Sequence, residues 1–155
     1  MIAQTVVKKL IEKNITISTA ESCTGGMLGK SITSVSGASG VYGFGFITYA
    51  NEAKEKLLGV KHETLEAYGA VSSETALEMA LGARRVSNSD IAVSVTGIAG
   101  PGGGTPEKPV GLVYIAYADE NGAVYEKLML DGDRESVRQQ TCERVFQLIN
   151  SKISK

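Results

Sequence analysis

The 155-residue sequence contains one histidine, His62, in the charged run Lys61-His62-Glu63. A Ser-His-Asp triad needs an imidazole oriented by a carboxylate, and nothing in the sequence marks such a partner, so His62 reads as a surface residue. The same count excludes a histidine-based metal cluster. A hydrolase built from this chain must therefore take its base elsewhere. Free lysine, with a pKa near ~10.4, becomes a base only where desolvation or positive surroundings pull that value down. Lys54 is the local candidate. With Asn51 capping a short helix, Lys54 sits in the first turn, where the helix dipole disfavours an ammonium by ~0.3–1 kcal/mol. That is less than one pKa unit, so burial must supply the rest. The competing reading is a solvated helix lysine beside Glu55. Ser39, in Ser36-Gly37-Ala38-Ser39-Gly40, has small neighbours that leave a hydroxyl open for nucleophilic attack. The run is not G-x-S-x-G, because residue 41 is Val, and a turn serine explains it equally well.

Three further stretches bear on anion binding. Gly25–Ser31 follows a strand-like segment and ends Lys30-Ser31, but a phosphate loop needs glycine where Thr24 stands. Small residues that let a helix lie close to a sheet are the better reading. A third reading is that the turn Glu21-Ser22-Cys23-Thr24 aims backbone N–H groups at an anion. The loop Thr96–Pro109, with five glycines and three prolines in fourteen residues, leaves a buried strand and has the restricted dihedrals of a binding loop. Arg134 and Arg138 lie one helical turn apart, each able to meet an anion or to serve a surface ion pair.

These residues need elements to hold them. Ile2, Val6, Val7, Leu10 and Ile11 recur at helical spacing, and Ile15–Ala20 alternates as a strand. Thr24–Val35 reads as a helix, Gly43–Ala50 as a strand, Glu52–Leu58 as a short helix, and Ser72 or Ser73 as the cap of a helix through Val86. Ile91–Val95 is a continuous apolar run, as in a strand buried on both faces. Val110–Ala118 and Ala123–Leu130 flank Asp119-Glu120-Asn121-Gly122, a hairpin signal, and Asp133 opens a last helix through Ile149. The economical architecture is one α/β domain over residues 1–155, a three-layer α/β/α sandwich around a mixed five-stranded sheet.

Sixteen Lys and Arg against seventeen Asp and Glu leave a net charge of −1, which gives no basic surplus for a nucleic-acid backbone. No apolar run approaches a membrane span and no signal-peptide pattern opens the chain, so a cytoplasmic protein without membrane association is expected. Cys23 and Cys142 are far apart in sequence and read as reduced, packed thiols.

Taken together, Ala20–Gly26 (AESCTGG), the ITSVSGAS run ending at Ser39, Tyr49–Lys54 (YANEAK), Gly69–Ser72 (GAVS) and Val95–Gly111 (VTGIAGPGGGTPEKPVG) resemble the C-terminal domain of the CinA proteins and the related stand-alone nicotinamide-nucleotide amidases. The likeness runs over about residues 5 to 150. It implies an amidohydrolase that converts nicotinamide mononucleotide to nicotinic acid mononucleotide and ammonia in pyridine nucleotide salvage. It implies the same sandwich fold, no metal or redox cofactor, and a homo-oligomer. By the resemblance, the family's nucleophilic serine falls on Ser39, its basic lysine on Lys54 and its tyrosine on Tyr49. Substrate contacts fall on Thr96 and on Arg134 or Arg138. The turn Glu21, Ser22, Thr24, Gly25 and the loop residues Gly97, Gly100, Gly102 and Thr105 contain the ribose phosphate. A non-catalytic nucleotide-binding module linked to competence or DNA damage, and a phosphohydrolase using Lys30 and Ser31, are the alternatives from other classes.

Overall fold

The computed structural model describes residues 1–154. Helix α1 (Ile2–Lys13) buries Val6, Val7 and Leu10 and stops at Asn14, whose left-handed backbone turns its N–H onto the Leu10 and Ile11 carbonyls. Strand β1 (Ile17–Glu21) is buried throughout. Helix α2 (Met27–Thr33), a 3-10 turn at Ala38–Gly40, strand β2 (Tyr42–Ile47), and helices α3 (Asn51–Leu58), α4 (His62–Tyr68) and α5 (Ser73–Ser87) follow. Strand β3 (Ile91–Gly97), the hairpin of β4 (Leu112–Asp119) and β5 (Gly122–Met129), and helix α6 (Arg134–Ile153) complete the chain.

The five strands lie in the order β2-β1-β3-β4-β5. β2, β1 and β3 are parallel, and the hairpin adds β4 and β5 antiparallel. One face packs on α1, α2 and α6 through Val6, Leu10, Leu28, Ile32, Phe146 and Ile149. The other packs on α3, α4 and α5 through Leu58, Leu65, Met79 and Ala83, with a smaller alanine contact between α5 and β4. This is the expected three-layer mixed sheet. Among the described residues no helix is long and apolar enough to cross a membrane.

Where the elements differ from the sequence reading, tertiary contacts are the cause. Helix α4 was not foreseen. Its N-terminus has no cap of its own; Glu78 of α5 supplies one, accepting from the Lys61 N–H at 2.8 Å and from the Thr64 hydroxyl at 2.6 Å. Asn51 is the first residue of α3 rather than its cap. His62 is exposed, as expected, but it does find carboxylates: its ring nitrogens lie 3.1 Å from Glu55 and 2.8 Å from Glu66, and these raise its pKa.

Helix α2 begins three residues later than the sequence suggests, and Glu21 explains why. This carboxylate, buried at the end of β1, accepts from the Thr24 hydroxyl at 2.6 Å and from the backbone N–H groups of Leu28 and Gly29 at 2.8 and 3.0 Å. The chain's own carboxylate thus occupies the anion position at the α2 N-terminus. The phosphate-loop reading of Gly25–Ser31 fails for that reason, whereas the N–H groups of Cys23 and Thr24 in the preceding turn are not engaged by Glu21. Ser31 bonds back to the Met27 carbonyl. Glu21→Gln turns one acceptor oxygen into a competing N–H donor in a buried site, and should cost about 1–3 kcal/mol in urea unfolding.

Candidate active site

Because β1, β2 and β3 run parallel, the segments that follow them gather at one end of the sheet, where open α/β sheets place their ligands. There a cavity of about 260 Å³ is lined by Ser22, Cys23, Tyr49, Lys54, Ala70, Val71, Thr96, the loop from Gly97 to Gly103, and Arg134. A larger groove of about 880 Å³ lies against α1, α2 and α6. It holds Gly25, Lys30, Ser31 and Arg138, but no buried base, so the chemistry belongs to the smaller cavity.

Lys54 dominates it. The side chain is 1% exposed and has no carboxylate partner among the described residues. Burial pulls its pKa from 10.5 down to about 8. Its Nζ lies 2.8 Å from the Thr48 carbonyl, 3.2 Å from the Tyr49 carbonyl and 3.1 Å from the Ser22 Oγ. A carbonyl only accepts; a neutral amine has two protons to give and one lone pair. Once Lys54 is neutral, its two N–H groups serve the two carbonyls and its lone pair faces the Ser22 hydroxyl. Among the described residues Ser22 is the one contact able to hand Lys54 a proton, an arrangement that a nucleophile and a general base would need.

The expected Ser39–Lys54 pair is not formed within the chain. The Ile17 N–H bonds to the Val41 carbonyl and the Thr48 N–H to the Glu21 carbonyl. Ser39 therefore precedes β2 while Lys54 follows it, and the strand's six residues, roughly 20 Å, separate them. Ser39 is exposed on its 3-10 turn. Ser22, expected to bind substrate, takes the position beside Lys54. No local pattern in AESCTGG marks it as a nucleophile; only the topology does, by placing it just past the carboxyl end of a central strand. The adjacent Cys23 is buried and its thiol is pushed up to about 11, so no thiolate competes near neutral pH.

The remaining expected residues divide. Tyr49 turns its ring outward, 65% exposed, with its hydroxyl 3.4 Å from Arg134; its carbonyl, not its phenol, touches Lys54. Thr96 lines the cavity, and its hydroxyl donates to the Ala70 carbonyl at 2.7 Å, tying the segment before α5 to the end of β3. Gly97, Gly100 and Gly102 line the cavity, whereas Thr105 lies outside it and caps its own loop by accepting from the Lys108 N–H. Thr24 is buried against Glu21, and Gly25 faces the larger groove. Of the two arginines, Arg134 reaches the cavity, donating to the Gly100 carbonyl at 2.8 Å. Arg138 spends its Nε and one terminal nitrogen on the carbonyls of Cys23 and Thr24 at 3.1 and 3.0 Å, clamping the turn that carries Ser22. The sequence reading missed Thr48, whose buried hydroxyl oxygen has no partner while its carbonyl holds Lys54.

The model of the CinA C-terminal domain family matches residues 1–153. A CinA-like protein of Kosmotoga olearia is 55% identical over 133 residues, which is 86% of this chain and 32% of that protein. A protein of Thermoanaerobacter sp. (strain X514), named for competence-damage induction, is 54% identical over 145 residues, 93% of this chain and 35% of the relative. The chain thus spans about one third of the length of these curated relatives. The crystal structure of the competence/damage inducible protein CihA from Agrobacterium tumefaciens superposes with a TM-score of 0.95 at 42% identity, covering 99% of this chain and 94% of that one. A CinA superfamily protein from Escherichia coli gives 0.90 at 33% identity, covering 96% and 87%.

Proposed function

Because the chain belongs to the CinA C-terminal domain family, we propose that it is an amidohydrolase that converts nicotinamide mononucleotide to nicotinic acid mononucleotide and ammonia, with Ser22 as nucleophile and Lys54 as base. The observation that carries this reading is the buried Lys54, whose sole proton-giving contact among the described residues is the Ser22 hydroxyl. Ser22 Oγ attacks the carboxamide carbon as its proton passes to Lys54 Nζ. The main-chain amide N–H groups of Cys23 and Thr24, which have no backbone acceptor among the described residues, are the donors assigned to the developing oxyanion. Lys54 returns the proton to the departing nitrogen, and ammonia leaves. Water then attacks the Ser22 ester, giving its proton to Lys54, which restores the Ser22 hydroxyl as the carboxylic acid forms. No step uses a metal or redox group.

Arg134 faces the same cavity and is its nearest fixed positive charge, so it is assigned to the phosphate. Arg134→Ala should raise KM for nicotinamide mononucleotide about 10- to 100-fold with a smaller change in kcat, since it removes binding shared by ground and transition states. An equal fall of kcat with KM unchanged would reassign it to the chemical step. The activity itself is tested by incubating pure protein with nicotinamide mononucleotide in EDTA and assaying ammonia. Calorimetric binding without ammonia would instead favour a nucleotide-binding module.

A further inference from the structure

The peptide between Cys23 and Thr24 is engaged at one end and open at the other. Gly25 donates its N–H to the Ser22 carbonyl at 3.1 Å, closing a four-residue turn of which this peptide is the middle unit. Arg138 Nε donates to the carbonyl of that peptide, the Cys23 oxygen, at 3.1 Å, and a terminal nitrogen of the same guanidinium donates to the Thr24 carbonyl at 3.0 Å. The N–H of that peptide, on Thr24, has no backbone acceptor among the described residues. The peptide is trans, so its N–H points opposite to its carbonyl. Arg138 lines the larger groove and not the cavity, so the Thr24 N–H points away from the groove, while the same turn gives Ser22 and Cys23 to the cavity. Arg138 stands on α6 next to the fully buried Val137, so its fork is held by a packed helix. Its carboxylate neighbour, Glu135, is 3.8 Å away and largely exposed.

We propose that Arg138 is a positioning residue for the reaction, acting through the oxyanion donors rather than on the substrate. The inference rests on the Ser22–Lys54 reading above. A guanidinium on a carbonyl oxygen makes a charge-assisted bond, stronger than a neutral one. It draws electron density along the amide toward that oxygen and makes the N–H at the far end a better donor. It also fixes the plane of the peptide, so the Thr24 N–H is aimed before charge develops on the substrate, which is how a preorganised donor stabilises a transition state. The second bond, to the Thr24 carbonyl, does the same for the Gly25 N–H that closes the turn. The two arginines of α6, interchangeable in the sequence, are thereby set apart: Arg134 is assigned to the phosphate inside the cavity, and Arg138 stays behind the turn that carries Ser22.

Arg138→Ala is expected to lower kcat about 10- to 100-fold, short of the ~10²–10³ for deleting such a donor outright, with KM within about threefold of the parental value. Arg138→Lys keeps the charge but lacks the fork, and should fall between the two. Ethylguanidinium at millimolar concentration replaces the atoms deleted in Arg138→Ala, and the groove of about 880 Å³ has room to admit it, so it should restore part of the lost kcat. The rise of rate through about pH 8 should keep its midpoint, because Lys54 is untouched; a merely loosened cavity would admit water to Lys54 and move the midpoint upward. The rate at which a fluorophosphonate labels Ser22, whose attack also places negative charge on an oxygen, should fall in step with kcat. A loss confined to KM would make Arg138 a substrate contact and overturns the proposal. So does a variant with parental kcat, or one with a shifted midpoint and no response to ethylguanidinium. If the parental chain labels at Ser22 but releases no ammonia, the amidase reading fails alone, and the labelling rates of parent and variant decide on Arg138.

Discussion

Ser22→Ala is expected to lower ammonia release from nicotinamide mononucleotide by about 10⁴- to 10⁶-fold, the range seen when a hydrolase loses the nucleophile its base serves. The change deletes one oxygen from a side chain that lies against Lys54 Nζ at 3.1 Å, so the fold and the cavity walls remain. Binding of nicotinamide mononucleotide by calorimetry should persist within a few-fold. Ser39→Ala makes the contrast. Within its own chain Ser39 has no base and does not line the cavity, so it cannot carry the covalent step, and its loss should leave turnover near the parental rate. The decisive measurement is an acyl or fluorophosphonate adduct mapped by mass spectrometry, with the mass increase on the Ser22 peptide. An adduct on Ser39, or a Ser22→Ala variant turning over at the parental rate, removes Ser22 from the mechanism.

That contrast also shows how far the sequence reaches. Lys54 is legible in the sequence as a candidate base because the requirement is a local one: a lysine early in a helix, with burial needed to complete the shift, and the structure supplies that burial. Its partner was not identifiable, because pairing two side chains 32 positions apart depends on which end of which strand each one occupies. Ser22 and Ser39 both sit in small-residue turns next to strands. What separates them is that Ser22 follows the end of β1 at Glu21 while Ser39 precedes the start of β2 at Tyr42, a distinction of direction that periodicity does not encode. Glu21 illustrates the opposite failure. A carboxylate beside a glycine-rich turn looks like a ligand contact in sequence, yet its two oxygens are committed to α2 and Thr24. The strand and helix order was legible since most elements bury a regular apolar pattern; α4, capped from α5 by Glu78, was not.

The rate of the reaction should rise with pH through about 8. In the proposed mechanism the active form has Lys54 neutral, and with a pKa of about 8 roughly one molecule in ten is in that form at pH 7. At 10.5 the fraction would be about 300-fold smaller. kcat/KM should therefore climb tenfold per pH unit below 8 and level off above it. Stability carries the same signature. The folded-state pKa lies below the unfolded one, so between about 8 and 10.5 the unfolded chain binds the extra proton and folding gains free energy as pH rises. The full gain corresponds to about 3 kcal/mol, present above the unfolded value and lost as pH falls through the folded one. Lys54→Met removes both effects: ammonia release falls by about 10³-fold or more, and the difference in unfolding free energy between the two proteins is constant below about 8 and above about 10.5 and changes only between them. Lys54→Arg should not rescue turnover, since a guanidinium stays charged at every pH of the assay. A flat rate profile from pH 6 to 9, or an active arginine variant, would mean that the amine at this position is not the base.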